Sequence, residues 1–215
     1  MNKDQFKKQE RFSYEDVLDL ISYLRSDDGC PWDRVQTHQS VRRGVIEEAY
    51  EVAEAIDRQD DGRMIEELGD LLMQVLFHAE IARQEGRFTL QEVYDRLCKK
   101  LIFRHPNLFE GTKPMDWQEL KRLEKGQKTL GEDLDGIAKT LPALTRAEKI
   151  AGKLDAGDQA QNLAELGKSF ESEPNEENLG KLLFAVCAAA KQAKIDPEQA
   201  LSKENQCRIE QNRAK

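Results

Sequence analysis

VIEEAYEVAEAI at residues 45–56 and IEELGDLLMQ at residues 65–74 are the two segments that decide the fold. In both segments, apolar side chains recur every three or four residues, which is the spacing of an amphipathic helix. Only a short stretch that contains Asp60, Asp61 and Gly62 separates them. Because a short connection joins helices that lie side by side, we expect an antiparallel helix pair.

Helical spacing continues on both sides of this pair. Ser13 is a typical N-cap residue for a first helix that stops before Gly29, and the segment DDGCPWDRVQT at 27–37 has the composition of a turn. No segment alternates as a strand, so the sequence predicts an all-α fold built from antiparallel helix bundles. The further helices are predicted at about 38–58, 63–85, 89–105, 117–125, 143–154, 159–172, 176–194 and 197–213.

The last helices repeat the pattern of the earlier ones. ENLGKLLFAVCAAAKQA at 177–193 aligns without a gap on EELGDLLMQVLFHAEIA at 66–82. We therefore expect an internal duplication and three parts: a flexible arm over 1–12, a catalytic helical domain over 13–130, and a degenerate, noncatalytic second segment over 131–215.

The second copy has lost the acidic residues of the first. Asn178 aligns with Glu67, and Lys181 aligns with Asp70. In a looser alignment, Ala164, Glu165 and Lys168 stand opposite Glu47, Glu48 and Glu51. Because the apolar spacing persists while the carboxylates are replaced, we expect the second copy to serve packing or assembly.

The composition excludes several classes of protein. The 215 residues carry a formal net charge of -8, so the chain as a whole repels nucleic acid and we expect no nucleic-acid partner. The longest apolar run, LLFAVCAAA, is far shorter than the ~18 residues of a membrane span, which predicts no membrane partner. The four cysteines are widely spaced without a CxxC pair, as expected of a cytoplasmic protein.

Carboxylates are concentrated on the two helices that decide the fold. Glu47, Glu48 and Glu51 stand at positions i, i+1 and i+4, while Glu67 and Asp70 are three residues apart. Few lysines stand nearby to neutralise them, and like charges at such spacing repel unless a cation lies between them. An all-oxygen set without histidine or cysteine favours magnesium or manganese over zinc. The alternative interpretation is an ordinary solvated acidic face.

These motifs and several further strings resemble the MazG family of nucleoside triphosphate pyrophosphohydrolases, within the all-alpha NTP pyrophosphatase superfamily. The pattern EExxE followed by ExxD is one of these motifs, and the resemblance covers residues 14 to about 150. The other strings are GCPWD at 29–33, EELGDLL at 66–72, EGRF at 85–88, KKLIFRHPNLF at 99–109 and LPAL-RA-K at 141–149.

The resemblance implies hydrolysis of a nucleoside triphosphate to the monophosphate and pyrophosphate. It also implies a homodimer and places a magnesium ion, for which manganese can substitute, on four carboxylates: Glu48, Glu51, Glu67 and Asp70. Glu47 would border this site, and either Glu47 or Glu48 would activate the attacking water. The residues implied to contact the substrate are Lys100, Arg104, Trp117 and Lys121, with Lys100 and Arg104 on the phosphates.

Two alternatives stay open at this point. One is a relative with a narrower substrate, such as a dUTPase or a phosphoribosyl-ATP pyrophosphatase. The other is a noncatalytic helical regulator that binds nucleotide. We interpret Trp32 and the three histidines, His38, His78 and His105, as structural residues.

Overall fold

The computed structural model describes residues 6–127, 129–154 and 162–213. These residues form helices joined by turns and contain no strand, which confirms the predicted all-α class. No helix in the described ranges is both long and apolar enough to cross a membrane. The chain divides into two compact units, Met1–Ile102 and Phe103–Lys215.

The first unit is built around one long helix pair. Its helices are α1 (Tyr14–Leu24), α2 (Pro31–Arg34), α3 (His38–Arg58), α4 (Asp61–Gln84) and α5 (Leu90–Phe103), the last of which ends at the division between the units. The most extensive contact in the chain joins α3 to α4, and α1 also packs on α4. The α3–α4 pair is therefore the scaffold of this unit.

The second unit consists of shorter helices. They are α6 (Pro106–Phe109), α7 (Trp117–Lys125), α8 (Leu130–Asp135), α9 (Ala143–Leu154), α10 (Leu163–Ser172), α11 (Glu176–Gln192) and α12 (Pro197–Arg213). Helix α11 contacts α9, α10 and α12, while α8 packs on α9. Helix α11 thus lies at the centre of this unit.

The predicted helices are present, with ends that shift by a few residues. Ser13 caps α1 as expected, and its side chain accepts a hydrogen bond from the Asp16 amide. The predicted start near residue 159 lies outside the described residues, and α10 is described from Leu163. Three short helices, α2, α6 and α8, were not predicted. Two of them begin with proline at the first helical position, and the third begins with a capping box formed by Thr129 and Glu132.

A glycine lets the two scaffold helices approach each other. A Cβ atom added to Gly44 of α3 would lie only 2.7 Å from the side-chain nitrogen of Gln74 on α4. On α3, Glu48, Glu51 and Ala55 follow Gly44 at helical spacing, so these four residues share a face. This face therefore brings Glu48 close to α4.

Apolar side chains at the other end of α4 fix the scaffold. Ile21 of α1 packs with three buried residues of α4: Leu76, Phe77 and Ile81. Val17, Leu18, Val41 and Leu90 cover this core from α1, α3 and α5. The core lies beyond Asp70 along α4, so the acidic segment of the helix is not part of it.

The second unit has its own apolar centre. Ala185, Cys187 and Ala188 of α11 are buried, as is Ala151 of α9. In the gapless alignment, Cys187 and Ala188 correspond to Leu76 and Phe77, which are also buried. This agreement is compatible with the predicted duplication, which stays a prediction, as does the domain boundary between residues 130 and 131.

Candidate metal and nucleotide site

Three of the predicted carboxylates converge between α3 and α4. Glu48 comes from α3, and Glu67 and Asp70 come from successive turns of α4. One oxygen from each of the three carboxylates lies within 4.8 Å of the other two. Glu67 is only 8% exposed, while Glu48 and Asp70 are half-buried. Oxygen donors at this spacing fit a hard divalent cation such as Mg²⁺ or Mn²⁺.

The pKa of Glu48 shows how closely the negative charges are packed. Burial raises this pKa above the usual glutamate value, and the charges of Asp70, Glu51 and Glu67 raise it further. Glu48 and Glu51 are also within hydrogen-bonding reach of each other. A divalent cation placed among these oxygens would relieve this repulsion.

Glu51 and Glu47 lie in different surroundings from the three converging carboxylates. Glu51 is exposed and stands beside Glu48, outside the group of three. Glu47 is also exposed, and its Oε1 atom accepts a hydrogen bond from Nε of Arg43 at 2.6 Å. Of the adjacent residues Glu47 and Glu48, Glu48 is therefore the one whose side chain faces Glu67 and Asp70 of α4.

Arginines, which the sequence analysis did not consider, pair with the acidic row. Nε of Arg63 lies 3.2 Å from Oε1 of Glu67, and its Nη2 atom lies 3.2 Å from Oε2 of Glu54. Arg58 contacts the same Glu54 carboxylate at 2.6 Å. The expectation from the sequence concerned lysines, and these contacts come from arginines instead. The spacing of four residues between Arg63 and Glu67 would have revealed the pair.

A basic and aromatic cluster lies within the second unit. The guanidinium carbon of Arg104 is 5.3 Å from the centroid of the Trp117 ring, and Nζ of Lys121 is 5.6 Å from it. His105 meets the same ring edge-on at a centroid distance of 5.7 Å. Three of the predicted substrate residues, Arg104, Trp117 and Lys121, are thus neighbours.

The electrostatics of this cluster suit an anion. Burial lowers the pKa of Lys121, and the positive charges of other basic residues lower it further. The residues responsible are Arg104, Lys149, Lys125 and Lys153. Arg104 also pairs with Glu124, from which its Nε atom is 2.6 Å away. Among the described residues, no carboxylate forms an ion pair with Lys121.

Lys100, the fourth predicted substrate residue, is not part of the second unit. It is a half-buried residue in the last turn of α5 and belongs to the first unit, whereas Arg104 belongs to the second. Its role as a phosphate contact stays a prediction.

The remaining residues that we interpreted as structural have different environments. The Nδ1 atoms of His38 and His78 are 2.7 Å apart, and their rings stack with an interplanar angle of 7°. This contact joins α3 to α4, as expected of packed histidines. Trp32 differs from the expectation, because it is 64% exposed on the short helix α2. Helix α2 was not predicted, and the packing of its side chains could not be derived from the sequence.

Comparison with known proteins gives a consistent result. The model of the MazG nucleotide pyrophosphohydrolase domain matches residues 36–109. A nucleoside triphosphate pyrophosphohydrolase/pyrophosphatase MazG from Thermotoga maritima is 38% identical over 211 residues, which span 91% of this chain and 82% of that protein. A nucleoside triphosphate pyrophosphohydrolase from Escherichia coli is 34% identical over 88% of this chain and 82% of its own length. The uncharacterized protein YabN of Bacillus subtilis is 40% identical over 92% of this chain and 46% of its own length.

Proposed function

The chain belongs to the MazG family, and on this basis we propose that it is an enzyme that hydrolyses nucleoside triphosphates to a nucleoside monophosphate and pyrophosphate. The observation that carries the proposal is the convergence of Glu48, Glu67 and Asp70 between two packed helices. These residues also belong to the acidic motifs by which the sequence resembles the family.

In this proposal, Glu48, Glu67 and Asp70 hold Mg²⁺, and Glu51 joins them as the fourth carboxylate. A magnesium ion held by these residues would supply positive charge beside the phosphate oxygens when water attacks the α phosphorus. Because α3 and α4 fix the carboxylates before the substrate arrives, the site is already organised for binding. Mn²⁺ has the same preference for oxygen ligands and is the expected substitute.

Glu48 is the better candidate for orienting or deprotonating the attacking water. Its carboxyl group lies with those of Asp70 and Glu67, so it would be close to a water that attacks a metal-bound phosphate. Glu47 is occupied by Arg43 and exposed, so we assign it to the border of the site.

Positive side chains would bind the phosphates. Lys121 carries a positive charge crowded by other cations, which an anionic phosphate group would relieve. Arg104 would exchange its contact with Glu124 for the substrate, while Lys100 adds a further positive charge. Trp117 offers a ring face, 40% of the residue being exposed, on which a base can stack.

We also propose a homodimer in the cytoplasm. Several large apolar side chains of α3 and α4 are exposed in the single chain, and a second copy would cover them. They are Tyr50, Ile56, Ile65, Leu68 and Leu72. The cytoplasmic setting rests on the four widely spaced cysteines, which are free.

The decisive experiment is product identification by chromatography. The full chain is incubated with Mg²⁺ and a panel of ribonucleoside and deoxyribonucleoside triphosphates, together with dUTP and phosphoribosyl-ATP. We expect a monophosphate and pyrophosphate in equal amounts from several triphosphates, with no turnover in EDTA. Turnover of dUTP or phosphoribosyl-ATP alone would identify a narrower enzyme.

A nucleoside diphosphate and orthophosphate as products would contradict cleavage at the α phosphorus. The absence of turnover with any of these compounds, in the presence of Mg²⁺ or Mn²⁺, would favour the noncatalytic regulator. A direct binding measurement with the same triphosphates would then test that alternative.

A further inference from the structure

Among the residues that the structure describes, Arg63 forms an ion pair with Glu67, a member of the acidic group of Glu48, Glu67 and Asp70. Its backbone amide donates a hydrogen bond to Oδ1 of Asp60, the N-cap of α4, at 3.0 Å. This bond fixes the start of the side chain in the first turn of the helix. The guanidinium then reaches one turn along α4 to Glu67, at 3.2 Å, so its position is determined by local helix geometry.

The same guanidinium also contacts a second carboxylate on the facing helix. Nη2 of Arg63 lies 3.2 Å from Oε2 of Glu54 on α3. Glu54 is additionally held by Arg58 at 2.6 Å. Arg63 therefore divides its donors between Glu54, which lies outside the group of three, and Glu67, which lies inside it.

Glu67 needs a positively charged partner, which can be either a basic side chain or a bound metal ion. At 8% exposure, Glu67 is the most buried member of the group, and a buried carboxylate without a partner is strongly unfavourable. In the structure, Arg63 supplies this partner. A divalent cation bound to Glu67 would supply the same charge, and two cations at one carboxylate repel each other.

We propose that Arg63 is an internal counter-ion of Glu67, and that its guanidinium and a divalent cation compete for this carboxylate. This inference rests on the proposed metal site. In this proposal, Glu54 has a distinct role, because it keeps its ion pair with Arg63 when Glu67 binds the metal. Arg63 is thus a positioning residue that keeps the acidic helix pair packed between cycles of metal binding.

Removal of Arg63 should lower the stability of the metal-free chain and raise its affinity for the metal. Without the guanidinium, the carboxylates repel one another in the metal-free chain, so its thermal midpoint falls. The metal no longer competes with a cation, so its affinity rises. A residue that only held Glu67 in position would lower both the stability and the affinity when removed.

The test measures Mn²⁺ binding to the full chain by isothermal titration calorimetry, without nucleotide, together with thermal unfolding in EDTA. We expect Arg63→Gln to lower the thermal midpoint in EDTA and to tighten Mn²⁺ binding by about fivefold to tenfold, as removal of a unit charge a few ångströms from a divalent ion predicts. Arg63→Lys keeps the charge and should bind Mn²⁺ close to the wild-type affinity.

Arg58→Gln is the matched control, because it removes the same charge from the same helix pair but contacts Glu54 alone. We expect it to change Mn²⁺ affinity much less than Arg63→Gln. Weaker or unchanged Mn²⁺ binding in Arg63→Gln would overturn the proposal, as would an equal gain in Arg58→Gln. If wild type itself binds no Mn²⁺, the proposed metal site fails, which is a separate and recognisable result.

The folding of the variant is also informative. If Arg63→Gln is helical by circular dichroism in Mn²⁺ but unfolded in EDTA, the metal replaces the guanidinium, as the proposal requires. If it is unfolded in both conditions, Arg63 has a purely structural role and the proposal is wrong.

Discussion

Helices α3 and α4 of the first unit and helices α10 and α11 of the second form two contacting pairs, and the first pair is longer. Both bury side chains at equivalent positions of the second helix, where Leu76 corresponds to Cys187. At the position of Asp70, however, the second pair has Lys181, which forms an ion pair with Glu177 on its own helix. Apolar spacing thus maintains both helix pairs, whereas a metal site depends on a few residues of the polar face.

Asn178, which aligns with Glu67, makes a different kind of contact. It stands where Glu67 stands in the first pair, and its Nδ2 atom donates to the backbone oxygen of Glu173 at 2.9 Å. That oxygen belongs to the connection between α10 and α11, so the amide side chain supports the turn. A carboxylate could not donate this bond, so a glutamate at this position would not support the turn in the same way.

Substitutions at the aligned positions Asp70 and Lys181 should have very different effects on activity. Asp70→Asn should reduce pyrophosphate release by about 1,000-fold, because loss of a direct ligand should cost more than the roughly 10- to 100-fold typical of residues that only support one. Lys181→Asn, at the equivalent position, should leave activity unchanged. The measurement is the steady-state rate with saturating triphosphate and Mg²⁺, with circular dichroism to verify folding. Equal losses in the two variants would remove the distinction between an active and a silent pair.

A second comparison lies within the first pair, between two adjacent glutamates. Glu48→Gln should reduce the turnover rate at least about tenfold more than Glu47→Gln, because Glu48 faces the acidic group while Glu47 pairs with Arg43. Both substitutions remove one negative charge from the same helix, so each is a control for the other. A greater loss in Glu47→Gln would assign the water-activating role to Glu47.

The acidic group was predictable because its positions follow from helix periodicity. Glu67 and Asp70 are three residues apart and must share a face, and a short connection brings that face to α3. Glu48 could be added from the row on α3, although spacing alone did not distinguish it from Glu47. The contacts make that distinction in the structure, because Glu48 converges with Glu67 and Asp70 while Glu47 pairs with Arg43.

Contacts made by long or isolated side chains were not predictable in the same way. The pairing of Arg104 with Glu124 joins residues twenty positions apart, and its geometry depends on the packing of the second unit. Trp32 is exposed on the short proline-initiated helix α2, whose orientation is not encoded by periodicity. The Arg63 pair with Glu67 was readable from its spacing, but its contact with Glu54 required the register of two helices.

A smaller effect, on the pH dependence of stability, is expected at His78, a histidine that the second pair lacks. His78 aligns with Ala189, and it lies 2.7 Å from Nδ1 of His38, whose Nε2 atom is 3.7 Å from Glu85. Burial lowers the pKa of His78 below the ordinary value of 6.5, and His38 lowers it further. The unfolded chain therefore binds more protons than the folded chain between the lowered pKa and 6.5.

It follows that the stability contributed by neutral His78 is complete above pH 6.5 and is lost as the pH falls from there toward its folded pKa. Urea unfolding should show a lower midpoint at about pH 5.5 than at about pH 7.5, and His78→Ala, which introduces the residue of the second copy, should reduce that difference. Ala189→Ser is a suitable control, because it changes the equivalent position without adding a titrating group. An unchanged pH dependence in His78→Ala would mean that other groups destabilise the α3–α4 pair in acid and that the stacked histidines only pack.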